Sequence, residues 1–119
     1  MRRHRAVDPS ERSRILDRLA AELAGDPDVA FAYLYGSFAE SEPFHDVDTG
    51  VYLRTTPSES MTVRGLGLAN RLSAAVQLPV DVRILNTAPV SFVYHVLRGQ
   101  LILNRDDDLL GEVMQRTVS

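Results

Sequence analysis

The hydrophobic positions of this 119-residue chain follow helical spacing first and strand spacing next. Asp8 can cap a helix, Pro9 suits its first position, and Glu11 can return a bond to the cap residue. The apolar stripe that follows at helical spacing comprises Ile15, Leu16, Leu19, Ala20 and Leu23. Gly25 is the expected end of this helix, which we interpret as scaffold.

Three short apolar runs are typical of β-strands. Residues 29–35 are apolar on both faces, which predicts an interior strand covered on both sides. Residues 47–54 form the second run, in which Gly50 indicates a bulge or a close approach of two backbones. Residues 79–85 form the third run, in which apolar and charged side chains alternate.

Helical signals lie between and after these strands. Residues 56–59, Thr-Pro-Ser-Glu, have the pattern of a capping box that starts a helix extending to about residue 77. The predicted buried side of that helix comprises Leu66, Ala69, Leu72, Ala75 and Val76. Residues 90–98 predict a short helix, 101–103 a short edge strand, and the three aspartates at 106–108 the start of a terminal helix.

This order of elements predicts an α/β (α+β) fold, with a small mixed sheet flanked by helices. The first two strands are joined by a short loop, and we expect them to pair antiparallel. The second and third strands are joined by a helix, which favours a parallel pair with a right-handed crossover. A chain of this length is expected to form one domain, residues 1–119, with residues 1–7 as a flexible basic tail.

Candidate chemistry is concentrated where the first strand ends and the second begins. Gly36-Ser37 follows the first strand, and Asp46 and Asp48 open the second. Because side chains alternate along a strand, the two aspartates point to the same face. Their like charges repel, and a Mg²⁺ ion bound together with substrate phosphates would relieve the repulsion. The alternative is a solvated loop with two exposed aspartates beside a plain turn.

Asp81 is a third candidate carboxylate. If the third strand runs parallel to the second, Asp81 lies near its start, at the sheet end that holds Asp46 and Asp48. The alternative is that Asp81 pairs with Arg83, which lies on the same face of the strand.

The succession of strand, Gly36-Ser37, eight residues, Asp46-Val47-Asp48 and strand resembles the nucleotidyltransferase fold of DNA polymerase beta, specifically its minimal nucleotidyltransferase (MNT) branch. That family has Gly-Ser before a helical turn, Asp-x-Asp on the next strand and a third carboxylate on a later strand, where Asp81 fits. The resemblance covers roughly residues 29–105. Many members have a longer spacing between the two motifs, and we therefore expect a shortened helical turn after Ser37.

The resemblance implies Mg²⁺-dependent nucleotidyl transfer, with two Mg²⁺ ions as cofactors and ATP as substrate. It implies that Asp46, Asp48 and Asp81 are the catalytic and metal-binding residues. It also implies that Gly36 and Ser37 bind the nucleotide. Since all three carboxylates are present, we interpret the chain as an active enzyme.

The resemblance also implies a partner, because MNT proteins are commonly antitoxins paired with a helical HEPN-domain RNase. Some of them inactivate that toxin by transferring AMP to a tyrosine. We therefore expect an antitoxin that AMPylates a HEPN-type partner, in a homo- or hetero-oligomer. Two alternatives stay open. One is a small-molecule adenylyltransferase, a class that carries an extra helical domain. The other is an antitoxin that acts by binding alone, without catalysis.

Composition narrows the function classes. The net charge of −3 argues against an extended nucleic-acid surface, and no apolar run reaches the length of a membrane span. The chain has no cysteine, which fits a cytoplasmic protein. All thirteen basic residues are arginine, which excludes a P-loop lysine or a lysine nucleophile. The first fourteen positions contain Arg2, Arg3, Arg5, Arg12 and Arg14, which indicate a soluble tail or a binding arm. His45 is interpreted as a solvated loop residue or, next to Asp46, a substrate contact.

Overall fold

A computed structural model describes residues 6–55 and 60–118 of the chain, in which helices and strands alternate. The elements of this part are α1 (Pro9–Ala24), β1 (Val29–Tyr35), α2 (Gly36–Ala39), β2 (Val47–Leu53), α3 (Met61–Val76), β3 (Val80–Ile84), α4 (Val90–Leu97), β4 (Gln100–Asn104) and α5 (Asp107–Val118). The predicted α/β fold class is confirmed. Among the residues described, no helix combines the length and the apolar character needed to cross a membrane.

The strands of the described region form a mixed sheet in the order β3-β2-β1-β4. β1 pairs antiparallel with β2 and with β4, and β2 pairs parallel with β3. The predicted directions of the first three strands are therefore confirmed, as is the edge position of β4. In this order β3 is the opposite edge, directly beside the strand that begins with the Asp-x-Asp motif.

Helices cover both faces of the sheet. On one face, Leu19 of α1 and Leu72 of α3 belong to a buried cluster with side chains of β1, β2 and β3. On the other face, Val96 of α4 and Leu110 of α5 pack in a second cluster with aromatic side chains of β1. All seven residues of β1 are buried, which confirms the predicted interior strand. The catalytic candidates lie where this covered sheet ends.

The start of α1 is confirmed, whereas the predicted start of α3 is wrong. The Asp8 side chain accepts a hydrogen bond from the Glu11 amide at 2.7 Å. The Ser60 hydroxyl accepts one from the Val63 amide at 3.1 Å, and α3 begins at Met61. Ser60 supplies the same type of cap closer to the apolar stripe. The capping box predicted over 56–59 lies outside the described residues.

The buried face of α3 also differs from the prediction. Leu66 is 60 % exposed, whereas Gly65, Leu68 and Leu72 are buried. A Cβ on Gly65 would lie 3.2 Å from the Val82 carbonyl oxygen, so this face approaches β3 closely. Because successive helical residues are rotated by about 100°, an inward Gly65 turns Leu66 toward solvent.

Candidate active site

Two of the predicted carboxylates meet across the boundary between β2 and β3. Asp48 is the register partner of Asp81 in the parallel pair. Neighbouring strands lie about 4.8 Å apart, so the two backbones approach to about that distance. Asp46 lies two residues before Asp48, in the segment that enters β2. The structure thus brings the three aspartates to one end of the sheet.

Gly36 closes the same end of the sheet from β1. Its φ is +78°, a left-handed conformation that suits glycine. A Cβ at this position would lie 2.6 Å from Asp48 Oδ2, closer than atoms can pack. Ser37 follows directly in α2, which is a single helical turn of four residues and agrees with the shortened turn expected here. The Gly-Ser turn therefore lies against the carboxylate pair.

The arrangement disfavours the ionised form of Asp48. The side chain is partly buried, and burial followed by repulsion from Asp81 and Asp46 raises the pKa of Asp48 from 3.8 to about 6. Bound Mg²⁺ would reverse this effect, because a divalent cation stabilises crowded carboxylates. Within residues 6–55 and 60–118, no group of three or more His, Asp or Glu side chains is placed to hold a metal ion. Substrate phosphates would therefore have to supply the remaining ligands of any Mg²⁺ ion bound by these aspartates.

Tyr35 is a site residue that sequence reasoning missed. It is the register partner of Asp48 in β1, and it is buried. Burial first, and then the charges of Asp48 and Asp81, raise the pKa of Tyr35 to about 12, although Arg83 opposes the shift. The phenol therefore stays protonated and can only offer a neutral hydroxyl beside the carboxylates. The available signal was its place directly before Gly36.

The Tyr35 ring is held from the side of α4. It meets the ring of Phe92 edge-on at 5.6 Å and the ring of His95 at 5.7 Å between centroids. Such edge-to-face pairs contribute about 0.5–1.5 kcal/mol beyond simple burial. α4 thereby supports the wall of the site, a role that sequence reasoning did not assign to its side chains.

Asp81 does not pair with its neighbour on the strand. β3 alternates buried and exposed residues, and Asp81 and Arg83 are both exposed, as predicted. The Arg83 guanidinium instead stacks over the Phe92 ring at 4.5 Å. Among the ion pairs of the described residues, none joins Asp81 to Arg83. The Asp81 carboxylate is thus open to a ligand.

Thr49 fixes the backbone of Asp81. The Thr49 hydroxyl donates to the Asp81 carbonyl oxygen at 2.8 Å, and Thr49 has no solvent exposure. This bond links the residue after the Asp-x-Asp motif to the third carboxylate. Sequence reasoning missed it, because a threonine in a strand is ordinary without knowledge of the register between strands.

The loop that delivers Asp46 is packed. Phe44 is 1 % exposed, and its ring meets Phe38 edge-on at 4.8 Å. His45 follows and is partly buried, so its prediction as a solvated loop residue is wrong. His45 and Asp46 lie between Phe44 and Val47, which both belong to the buried cluster.

A cavity of about 420 Å³ borders the Gly-Ser turn. This volume lies within the range of small-molecule sites. Its walls include Gly36, Glu40, His95 and Arg98, so it contains a cationic guanidinium and an imidazole beside one carboxylate. A larger cavity of about 630 Å³ lies between α1 and the end of α3. Of these two cavities, only the one of about 420 Å³ has a predicted site residue, Gly36, in its wall.

Comparison with known proteins identifies the family of the chain. The model of the family named polymerase beta, nucleotidyltransferase, matches residues 17–108. The matched range contains Gly36, Ser37, Asp46, Asp48 and Asp81. A search of curated proteins gives no significant match.

Solved structures share the fold at low sequence identity. One is a tri-AMPylated Shewanella oneidensis HEPN toxin in complex with its MNT antitoxin, with 20 % identity and a TM-score of 0.71 over 90 % of this chain and 83 % of that chain. Another is a toxin–antitoxin structure with AMP-PNP, with 20 % identity and a TM-score of 0.72 over 87 % of this chain and 83 % of that chain. At these identities the likeness establishes the fold.

Proposed function

Because the chain belongs to the polymerase beta nucleotidyltransferase family, we propose that it is an antitoxin that transfers AMP from ATP to a hydroxyl group of a HEPN-type toxin. The observation that carries the proposal is the placement of Gly36, which directly follows β1, beside Asp48 on β2 and Asp81 on β3. Two structures with this fold support the acceptor and donor classes, since one holds an AMPylated HEPN toxin and the other AMP-PNP. We place the reaction in the cytoplasm, where ATP is available.

In the proposed reaction, the acceptor hydroxyl oxygen forms a bond to the α-phosphorus of ATP. The bond from that phosphorus to the oxygen bridging the α- and β-phosphates breaks, and pyrophosphate leaves. Asp81 accepts the proton of the hydroxyl group. Asp81 suits this role because its exposed carboxylate lies on the edge strand β3, where an acceptor can approach.

The order of the strands also orients the two reacting groups. Gly36 lies at the end of β1 and Asp81 on β3, with Asp48 between them on β2. If Gly36 and Ser37 hold the β- and γ-phosphates, the leaving group lies on the β1 side and the attacking hydroxyl on the β3 side. That arrangement matches an in-line displacement, in which attacking and leaving oxygens lie on opposite sides of phosphorus.

The leaving pyrophosphate needs positive charge nearby. In our proposal, the Arg98 guanidinium supplies it from the wall of the cavity that borders Gly36, and the His95 imidazole lies in the same wall. Asp46, Asp48 and Asp81 would hold two Mg²⁺ ions together with phosphate oxygens of ATP. When bound, Mg²⁺ neutralises the charge that develops on the transferred group. The fit rests on the oxygen ligands that the aspartates offer, since Asp48 and Asp81 are register partners on neighbouring strands and Asp46 lies two residues before Asp48.

Label transfer from ATP tests the proposal. The chain and the protein encoded beside it are incubated with Mg²⁺ and with ATP labelled at either the α- or the γ-phosphate. We expect the partner to acquire the α-label alone, together with release of labelled pyrophosphate from γ-labelled ATP. Transfer of the γ-label would indicate a kinase, and stable complex formation without any transfer would indicate neutralisation by binding alone.

A further inference from the structure

We infer that Arg12 is a positioning residue that fixes the Gly36–Ala39 turn for nucleotide binding. The inference rests on the proposed role of Gly36 and Ser37 in holding phosphates. Arg12 lies in α1, before the residues matched by the family model, and has no role in the motifs discussed above. The prediction that the N-terminal arginines form a tail is wrong for Arg12 and Arg14, which are helical, and Arg2, Arg3 and Arg5 lie outside the described residues.

The Arg12 side chain spans the gap between α1 and the end of α2. Its guanidinium donates hydrogen bonds to the carbonyl oxygen of Phe38 and to that of Ala39, the latter at 3.1 Å. It also donates to Gln100 Oε1 at 3.2 Å and stacks over the Phe38 ring at 4.7 Å. One side chain therefore ties together α1, α2 and β4.

An external tie strengthens the α2 turn. Backbone hydrogen bonds hold the turn from the Glu40 amide to Gly36, from the Glu42 amide to Ser37 and from the Ser41 amide to Phe38. A helix of one turn is only marginally stable by itself, and the carbonyl oxygens at its end can accept further donors. Arg12 supplies donors to two of them and places a positive charge where the helical dipole is negative. Fixing Phe38 and Ala39 in this way also fixes Gly36 and Ser37, which begin the same turn.

The contact is one that arginine makes and lysine cannot reproduce in full. The guanidinium is a planar fork whose nitrogens can donate to neighbouring carbonyls at once while its face stacks on an aromatic ring. A lysine ammonium keeps the charge but is a compact donor without a stacking face. This difference gives the inference a graded test.

The test measures the affinity of the full chain for ATP with Mg²⁺ by calorimetry, without an acceptor. Arg12→Met keeps the apolar stem on Phe38 and removes the donors, and Arg12→Lys keeps the charge. We expect Arg12→Met to weaken ATP binding by about tenfold or more, as small displacements of positioning groups do. Arg12→Lys is expected to fall between Arg12→Met and the unmodified chain.

Two controls separate positioning from a general loss of stability. Arg18→Met removes another arginine of α1, one that pairs only at the surface with Glu22 at 3.6 Å, and should leave ATP binding unchanged. Ile15→Val removes one buried methyl group of α1 while keeping Arg12, and is expected to lower the unfolding midpoint. Unfolding curves of all variants give the loss of stability with which each loss of ATP affinity is compared.

The outcomes are distinct. Weaker ATP binding in Arg12→Met than in Ile15→Val at equal or smaller loss of stability supports the inference. With an active acceptor, the KM for ATP should rise while the KM for the acceptor stays unchanged. ATP binding by Arg12→Met equal to that of the unmodified chain overturns it. Failure of the unmodified chain to bind ATP overturns both this inference and the proposed function, whereas ATP binding without transfer overturns only the latter.

Discussion

The backbone of Gly36 lies directly against the carboxylate of Asp48, so that a Cβ on Gly36 would come within 2.6 Å of Asp48 Oδ2. The contact joins the end of β1 to the start of β2. It makes the conformation of the Gly-Ser turn and the position of the carboxylate depend on each other. Each can therefore be perturbed through the other.

Gly36→Ala is expected to disturb both partners of this contact. The φ of +78° is strained for alanine, and the added Cβ must displace the Asp48 carboxylate. We expect a loss of about 1–3 kcal/mol in the free energy of unfolding, together with loss of transferase activity. Gly67→Ala is the matched control, because that helical glycine has no atoms within 4 Å of an added Cβ. It should gain about 0.5–1 kcal/mol and keep full activity. Equal stability of the two variants would contradict the contact.

Asp48→Asn is expected to abolish transfer while stabilising the chain in the absence of metal. The pKa of Asp48 is raised from 3.8 to about 6, so the folded state prefers its protonated form. Below about pH 4, Asp48 is protonated in the folded and in the unfolded chain, so its raised pKa does not lower the free energy of unfolding. As the pH rises through 6, ionisation of Asp48 removes stability that an asparagine retains. Because the group is only partly buried, we expect a gain of about 1–2 kcal/mol in Asp48→Asn above pH 6.

Denaturant unfolding at pH 4 and at pH 7.5, both without divalent cations, measures this difference. The gain should be absent at the lower pH and present at the higher pH. A less stable Asp48→Asn chain at pH 7.5 would contradict the proposed charge repulsion. Added Mg²⁺ with ATP should stabilise the unmodified chain more than the variant.

Thr49→Val is expected to loosen Asp81 without changing the charges of the site. The substitution leaves the Asp81 carbonyl oxygen without the hydroxyl donor now 2.8 Å away. We expect a loss of about 1–3 kcal/mol in unfolding free energy and a fall in kcat that exceeds any change in the KM for ATP. Thr49→Ser keeps the hydroxyl and should retain most of the activity. Equal kcat values for the two variants would argue against this role of Thr49.

Much of this site could be predicted from sequence, because its parts follow from local rules. Alternation along a strand puts Asp46 and Asp48 on one face, and a helical crossover makes β3 parallel to β2. Tyr35 and Arg12 could not be found in this way. The role of Tyr35 depends on its register with Asp48, and that of Arg12 on a contact with Phe38 across 26 positions of the chain. The outward rotation of Leu66 likewise depends on how closely α3 approaches β3.

A buried ion pair outside the candidate site is expected to respond to pH in the opposite sense to Asp48. Asp26 is 8 % exposed and lies 2.6 Å from Arg64. Burial raises the pKa of Asp26, but the bonds from Arg64 and the Asp28 amide and the nearby charges of Arg64 and Arg71 together lower it below 3.8. Its contribution to stability is therefore present above about pH 4 and lost as the pH falls further.

Arg64→Met should cost about 3 kcal/mol at pH 7, because it leaves the Asp26 carboxylate buried without its main partner. Arg71→Met is the control, since Arg71 is half-exposed and lies 3.9 Å from the same carboxylate. It should cost less than about 1 kcal/mol. Chemical unfolding of both variants at pH 7 measures the difference. Equal losses of unfolding free energy would contradict the assignment of the stabilisation to Arg64.

The transfer of AMP to a protein acceptor is tested most directly by intact-mass measurement. The chain is co-expressed with the product of the neighbouring reading frame, and the partner is weighed after incubation with ATP and Mg²⁺. We expect the partner to gain one or more AMP units, and we expect the gain to vanish with Asp46→Asn. An unchanged partner mass with the unmodified chain, in a stable complex that Asp46→Asn forms equally well, would contradict the proposal.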